Sequence, residues 1–122
     1  PANVQRYSVS GLGPDAWALG ASTRVRRFRN ENGLTLKEAV DALDGLLIRF
    51  GDRIYETNVV IGSEPGALLT YSSPDGFWRT LVGTTVVSDA TYLFELGCPI
   101  EFIGECESAL SDLLSGVTFD AG

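Results

Sequence analysis

Residues 35–51 read TLKEAVDALDGLLIRFG, and this stretch restricts the fold more than any other, because it reads as a helix while the segments on both sides read as strands. "TLKE" is a capping box: the Thr35 hydroxyl can accept from the backbone N–H of Glu38, whose carboxylate reaches back to the start of the helix. Leu36, Val40, Leu43, Leu47 and Phe50 then recur at steps of four, three, four and three, which lines one face of an amphipathic helix. Asp41, Asp44 and Arg49 fall elsewhere on the cylinder, and Gly51 supplies the stop. The Leu36/Val40/Leu43/Leu47 face is expected to be core.

Upstream, "VQRYSV" (Val4 to Val9) reads as a short first strand ended by the breaker "SGLGPD", and Thr23 to Arg29 as a second. "NENG" at 30–33 is a turn. Downstream, "IYETNVVIG" and "GALLTYSS" are β-rich and separated by "GSEPG". "SPDG" at 73–76 fits a turn with Pro second and Gly last. "FWRTLVGTTVV" is the longest strand candidate, and "SD" before "ATYLFEL" predicts a tight hairpin. From about Glu105 the helical period returns through Cys106, Leu110, Leu113 and Leu114, ended by Gly116; a short "VTF" closes the pattern. Strands, a long helix, a meander of about four strands and a closing helix, without βαβ alternation, define an α+β class. The expected architecture is a twisted, mostly antiparallel sheet flanked by helices. At 122 residues the chain suits one domain spanning 1–122, large enough to bury a core unaided.

Sixteen acidic residues stand against nine basic ones, a net charge of −7. Phosphate binding needs the reverse balance, so nucleic acid is not an expected partner. Yet Arg24, Arg26, Arg27 and Arg29 crowd into "STRVRRFRN". Guanidinium groups fork onto carboxylate or phosphate, which suits a partner patch; the plainer reading is a charged edge strand that blocks sheet-to-sheet association. Trp17, Phe77 and Trp78 can likewise floor a binding surface or simply pack on the sheet. No apolar run approaches the ~18 residues of a membrane helix. The chain starts at Pro1 rather than Met, as expected of a mature or trimmed form, which leaves a removed export signal open.

The chain has no histidine, which removes the Ser–His and Cys–His nucleophile systems and the commonest metal ligand. Cys98 and Cys106, in "CPIEFIGEC", match neither C-x-x-C nor a zinc knuckle. Two readings remain: reduced thiols in a cytosolic chain, or a disulfide that staples a strand exit to a helix entry in an oxidising compartment. The second is the expectation. "GLG" lacks the later spacing of a dinucleotide loop, no P-loop exists, and Ser63 is not in a G-x-S-x-G turn. Glu95, Glu101, Glu105 and Glu107 could supply a carboxylate pair, although as loop and helix-start residues they are expected to be solvated and ionised. Neither a cofactor nor a metal is expected.

The Pro14-to-Trp17 element after a short strand, the "GLTLKEAVDALDGLL" helix, "VVIGSEPGALLTYSS", "FWRTLVGTTVVSDATYLFEL" and a last helix ending in "GVTF" together resemble the PsbP/Mog-like superfamily, which includes DcrB-like envelope proteins and LpqN-type lipoproteins. The resemblance runs from about Val4 to Phe119 and rests on element order and hydrophobic pattern. It implies an α/β/α sandwich and a non-catalytic binding or accessory role, with no catalytic residues to carry over. The resulting expectation is an exported, extracytoplasmic binding domain, the soluble part of a bacterial lipoprotein in one form, taking a protein or small apolar ligand. Two alternatives stand beside it: an intracellular chaperone or adaptor of similar fold, and a small carboxylate-based enzyme using Tyr71 or Tyr92 around an apolar pocket.

Overall fold

The computed structural model describes residues 7–8, 22–30, 33–47, 50–87 and 90–119. In chain order these form β1 (Tyr7–Ser8), β2 (Ser22–Arg29), α1 (Leu36–Leu46), β3 (Asp52–Ile61), β4 (Glu64–Ser72), β5 (Trp78–Val87), β6 (Ala90–Pro99), a 3-10 turn (Ile100–Phe102), α2 (Ile103–Ser115) and β7 (Thr118–Phe119). Five strands make one antiparallel sheet in the order β2-β6-β5-β4-β3, while β1 pairs with β7. The mixed α+β class read from the sequence is the class observed.

The capping box at the start of α1 is present in full: Glu38 N–H donates to Thr35 Oγ1 at 3.2 Å, and Thr35 N–H donates to Glu38 Oε1 at 2.9 Å. The helix stops sooner than its hydrophobic period. It ends at Leu46, with Leu47 N–H still donating to the Leu43 carbonyl. Phe50 follows in a tighter turn, its N–H donating to the Leu47 carbonyl. Leu47 and Phe50 nevertheless remain on the core side, so a period set by packing outlasts the helix itself.

The expected five-residue break at "GSEPG" is also shorter. Ile61 pairs with Glu64, so Gly62 and Ser63 alone make the turn and Glu64 and Pro65 belong to β4. Gly62 has φ +63°, the left-handed region, and a Cβ there would stand 2.5 Å from the Val117 carbonyl oxygen. The next connection behaves as read: Gly76 N–H donates to the Ser73 carbonyl at 3.0 Å, closing the Ser-Pro-Asp-Gly turn. Val87 pairs directly with Ala90, as a tight hairpin requires. Of the first predicted strand, Tyr7 and Ser8 are described as strand, and its other residues lie outside the described ones.

Alternation along the strands sends side chains to two opposite faces. Tyr92, Phe94, Leu96 and Cys98 join Leu81 and Ile61 beneath α2, packing on Cys106, Leu110, Leu113 and Leu114. Leu93, Val82, Ala67, Leu69 and Tyr71 lie on the other face beneath Val40, Leu43 and Leu47. One helix therefore covers each side of the sheet, and β6 is buried from Ala90 to Cys98, as befits a strand with a core on both faces. Gly83 lets α2 settle: a Cβ there would stand 2.9 Å from both Leu114 methyl carbons.

Candidate functional site

Cys98 and Cys106 are joined, with 6.5 Å between their Cα atoms. Cys98 lies one residue inside the end of β6, rather than beyond it, and Cys106 falls in the first turn of α2. Both are buried. The bond fastens α2 to β6 and withdraws both thiols from nucleophilic or metal chemistry. Among the described residues no cluster of three or more Cys, Asp or Glu side chains has a metal-binding arrangement.

The arginine-rich segment is β2, an edge of the five-stranded sheet. Its alternation sends Arg26 to one face and Arg27 to the other. Arg26 Nε lies 2.5 Å from Glu95 Oε2, with both side chains largely buried, while Arg26 Nη2 has no hydrogen-bond partner. Arg26 also lies over the Phe28 ring at 5.5 Å. On the opposite face Arg27 Nε donates to the Tyr92 hydroxyl at 3.3 Å. Arg24 occupies the ladder position opposite Glu95. The location of Glu95 corrects the expectation of solvated carboxylates: it sits inside a central strand, and Arg26 is the neighbouring charge that makes burial tolerable. Glu101, Glu105 and Glu107 are exposed, as expected.

Phe28, carried to the α1 face by the same alternation, helps to line a groove between the end of β2 and α1. Its walls include Leu34, Ala39, Ala42, Leu43 and Leu46, with Arg29 among the polar residues at its margin, and it encloses about 140 Å3. Phe28 is 36% and Leu46 44% exposed, so apolar surface stays open at the groove. The frame is fixed locally. Asn30 closes the β2–α1 connection by donating from Nδ2 to the Leu34 carbonyl at 3.0 Å and accepting from the Leu34 N–H at 2.9 Å.

A larger, polar cleft of about 530 Å3 opens where α1 ends and β3 begins, lined by Asp44, Gly51, Asp52, Arg53 and Tyr71. The Tyr71 hydroxyl donates to Asp44 Oδ1 at 3.1 Å. Arg53 Nη2 lies 3.3 Å from Asp44 Oδ2, and its Nη1 lies 3.5 Å from Glu56 Oε1. Burial, with the Asp44 charge second, pushes the Tyr71 hydroxyl well above the usual tyrosine range, so it acts as a neutral donor. Each Asp44 oxygen thus faces a donor, and the group clasps the end of α1 to β3 and β4. The sequence reading left Asp44 off the helix core and assigned Arg53 no role; only long-range pairing unites them.

Of the remaining predicted partner residues, Phe77 is 72% exposed on a loop held by Ser73 and Asp75, and Trp78 is exposed beside it at the start of β5. Trp78 pairs with Pro99, whereas Arg29 pairs with Ala90 at the other end of β6, so the aromatic pair and the groove occupy opposite ends of the sheet. Trp17 lies outside the described residues. No protein-family model matches the chain, and no curated protein matches it.

Proposed function

We propose that this is a non-catalytic binding or accessory domain of an exported bacterial protein, of PsbP/Mog-like type, whose β2–α1 groove holds one apolar side chain of a partner protein. The observation that carries this reading is the groove: an apolar recess with Phe28 and Leu46 exposed, beside an arginine-rich strand on an otherwise acidic chain. Its volume of about 140 Å3 is far below the ~300–1,000 Å3 of pockets that enclose small molecules, and suits a single side chain. The local excess of Arg favours a partner segment with Asp or Glu beside that side chain. The disulfide supports an oxidising compartment, and the antiparallel sheet with a helix on each face supports the PsbP/Mog-like reading. The larger cleft favours the enzyme alternative less, because its Asp44 carboxylate is half-exposed and tied to Arg53 and Tyr71.

A randomised peptide library selected on the disulfide-intact protein tests this. Enriched peptides should combine one large apolar residue with flanking acidic ones. Ala42→Trp, which fills the groove from an exposed helix position, should abolish their binding, while Phe77→Ala at the other end should not. Enrichment without that pattern, no enrichment, or binding indifferent to Ala42→Trp would overturn the proposal.

A further inference from the structure

We infer that the outer edge of β3 is a self-association surface, through which two copies of the chain pair antiparallel about a twofold axis at Asn58. Among the described residues, the sheet order leaves β3 paired on one side only, with β4. The two edges of the sheet are treated differently. β2 is rich in arginine, four in eight residues, and although Arg26 is paired with Glu95 that composition disfavours self-pairing of an open edge. On β3 the second half, Thr57-Asn58-Val59-Val60-Ile61, carries no charge, lysine or proline and is mostly β-branched. That composition on an open edge favours strand addition. Val60 is 64% exposed and Tyr55 is also exposed.

The register follows from where β3 is regular. A bulge between Arg53 and Tyr55 interrupts the strand at one end, and the Gly62–Ser63 turn ends it at the other. Only residues 55–61 remain for uninterrupted pairing, and the centre of that run is Asn58. A twofold pair using the whole run sets Tyr55 against the second copy's Ile61, Thr57 against Val59, Glu56 against Val60, and Asn58 against itself. No like charges oppose one another, and apolar or β-branched pairs form on the Tyr55 side of the sheet. Shifting the axis two residues toward Glu56 would place the two Glu56 carboxylates together. Shifting it the other way runs the strand into its turn. An interface made by the same strand in both copies closes on itself, so the product is a ten-stranded sheet shared by a dimer rather than a fibre. One strand pair is small beside the ~1,600 Å2 of a standard interface, so the dimer should depend on concentration.

Sedimentation equilibrium of the disulfide-intact protein, from about 1 to 500 μM, should show the 13.1 kDa chain passing from monomer to dimer. Asn58→Lys and the near-isosteric Asn58→Asp each set like charges on the axis and should weaken the dimer several-fold, with circular dichroism and melting of the dilute monomer unchanged. Val60→Lys, brought opposite the second copy's Glu56, should be tolerated. A monomer at every concentration, an open-ended polymer, a dimer indifferent to both Asn58 variants, or a dimer lost in Phe77→Lys would each overturn the inference.

Discussion

Tyr71 lies beneath α1 with its hydroxyl on Asp44, and burial raises its ionisation range when the chain is folded. The folded state holds this proton more tightly than the unfolded state. The contribution to stability is therefore complete below the ordinary tyrosine value of about 10 and is lost as pH climbs beyond it. Tyr71→Phe is expected to lose about 0.5–1.5 kcal/mol at neutral pH and to flatten the alkaline fall in urea-unfolding stability; an alkaline slope equal to the parent's would place the phenol in solvent. Beneath α2, the double variant Cys98→Ser/Cys106→Ser should unfold with about 2–3 kcal/mol less stability, the loop-closure contribution of a short disulfide. Intact mass checks the bond itself: alkylation should add two groups only after reduction, and two thiols alkylated in the unreduced, unfolded protein would contradict it. At this scale the sequence is partly legible. The cysteine pairing is readable because spacing and lack of other ligands leave few roles. The Arg26–Glu95 pair is not, although a lone Glu within "ATYLFELGC" hints at a charge that needs a buried partner.

Elements with strong local chemistry are the ones the sequence describes well. The start of α1 depends on Thr35 and Glu38, three residues apart, and the face of α2 depends on Cys106, Leu110, Leu113 and Leu114; both appear as read. Ends are less legible. Leu47 and Phe50 continue the helical spacing of α1 because both reach the core, but by then the backbone has already turned toward β3. The β3–β4 turn was read as five residues because Pro65 resembles a breaker, yet it occupies a strand position opposite Val60. A fit between elements, such as that of β5 with α2, leaves only a glycine in the sequence. Gly83→Val should force Leu114 aside and cost about 1–3 kcal/mol in thermal or denaturant unfolding. In a double-mutant cycle, Leu114→Ala should recover part of that cost; strict additivity would show that the two positions do not touch.

For the molecule as a whole, the α+β class follows from element order, but strand order does not, because nothing local tells β2 to seek β6. That pairing has a kinetic consequence. β3 to β6 join through short hairpins, whereas the β2 ladder closes across 69 residues at Arg26–Glu95. Closing so long a loop costs entropy before any contact repays it, so the meander forms first and β2 zips on last. In stopped-flow refolding, Leu81→Val should slow folding nearly in proportion to its destabilisation, while Val25→Ala should mainly speed unfolding. Equal φ-values at the two positions would refute this order. Until β2 arrives, the outer edge of β6, a long apolar strand, stands bare. A newly made chain thus passes through an interval in which aggregation competes directly with completion of the sheet.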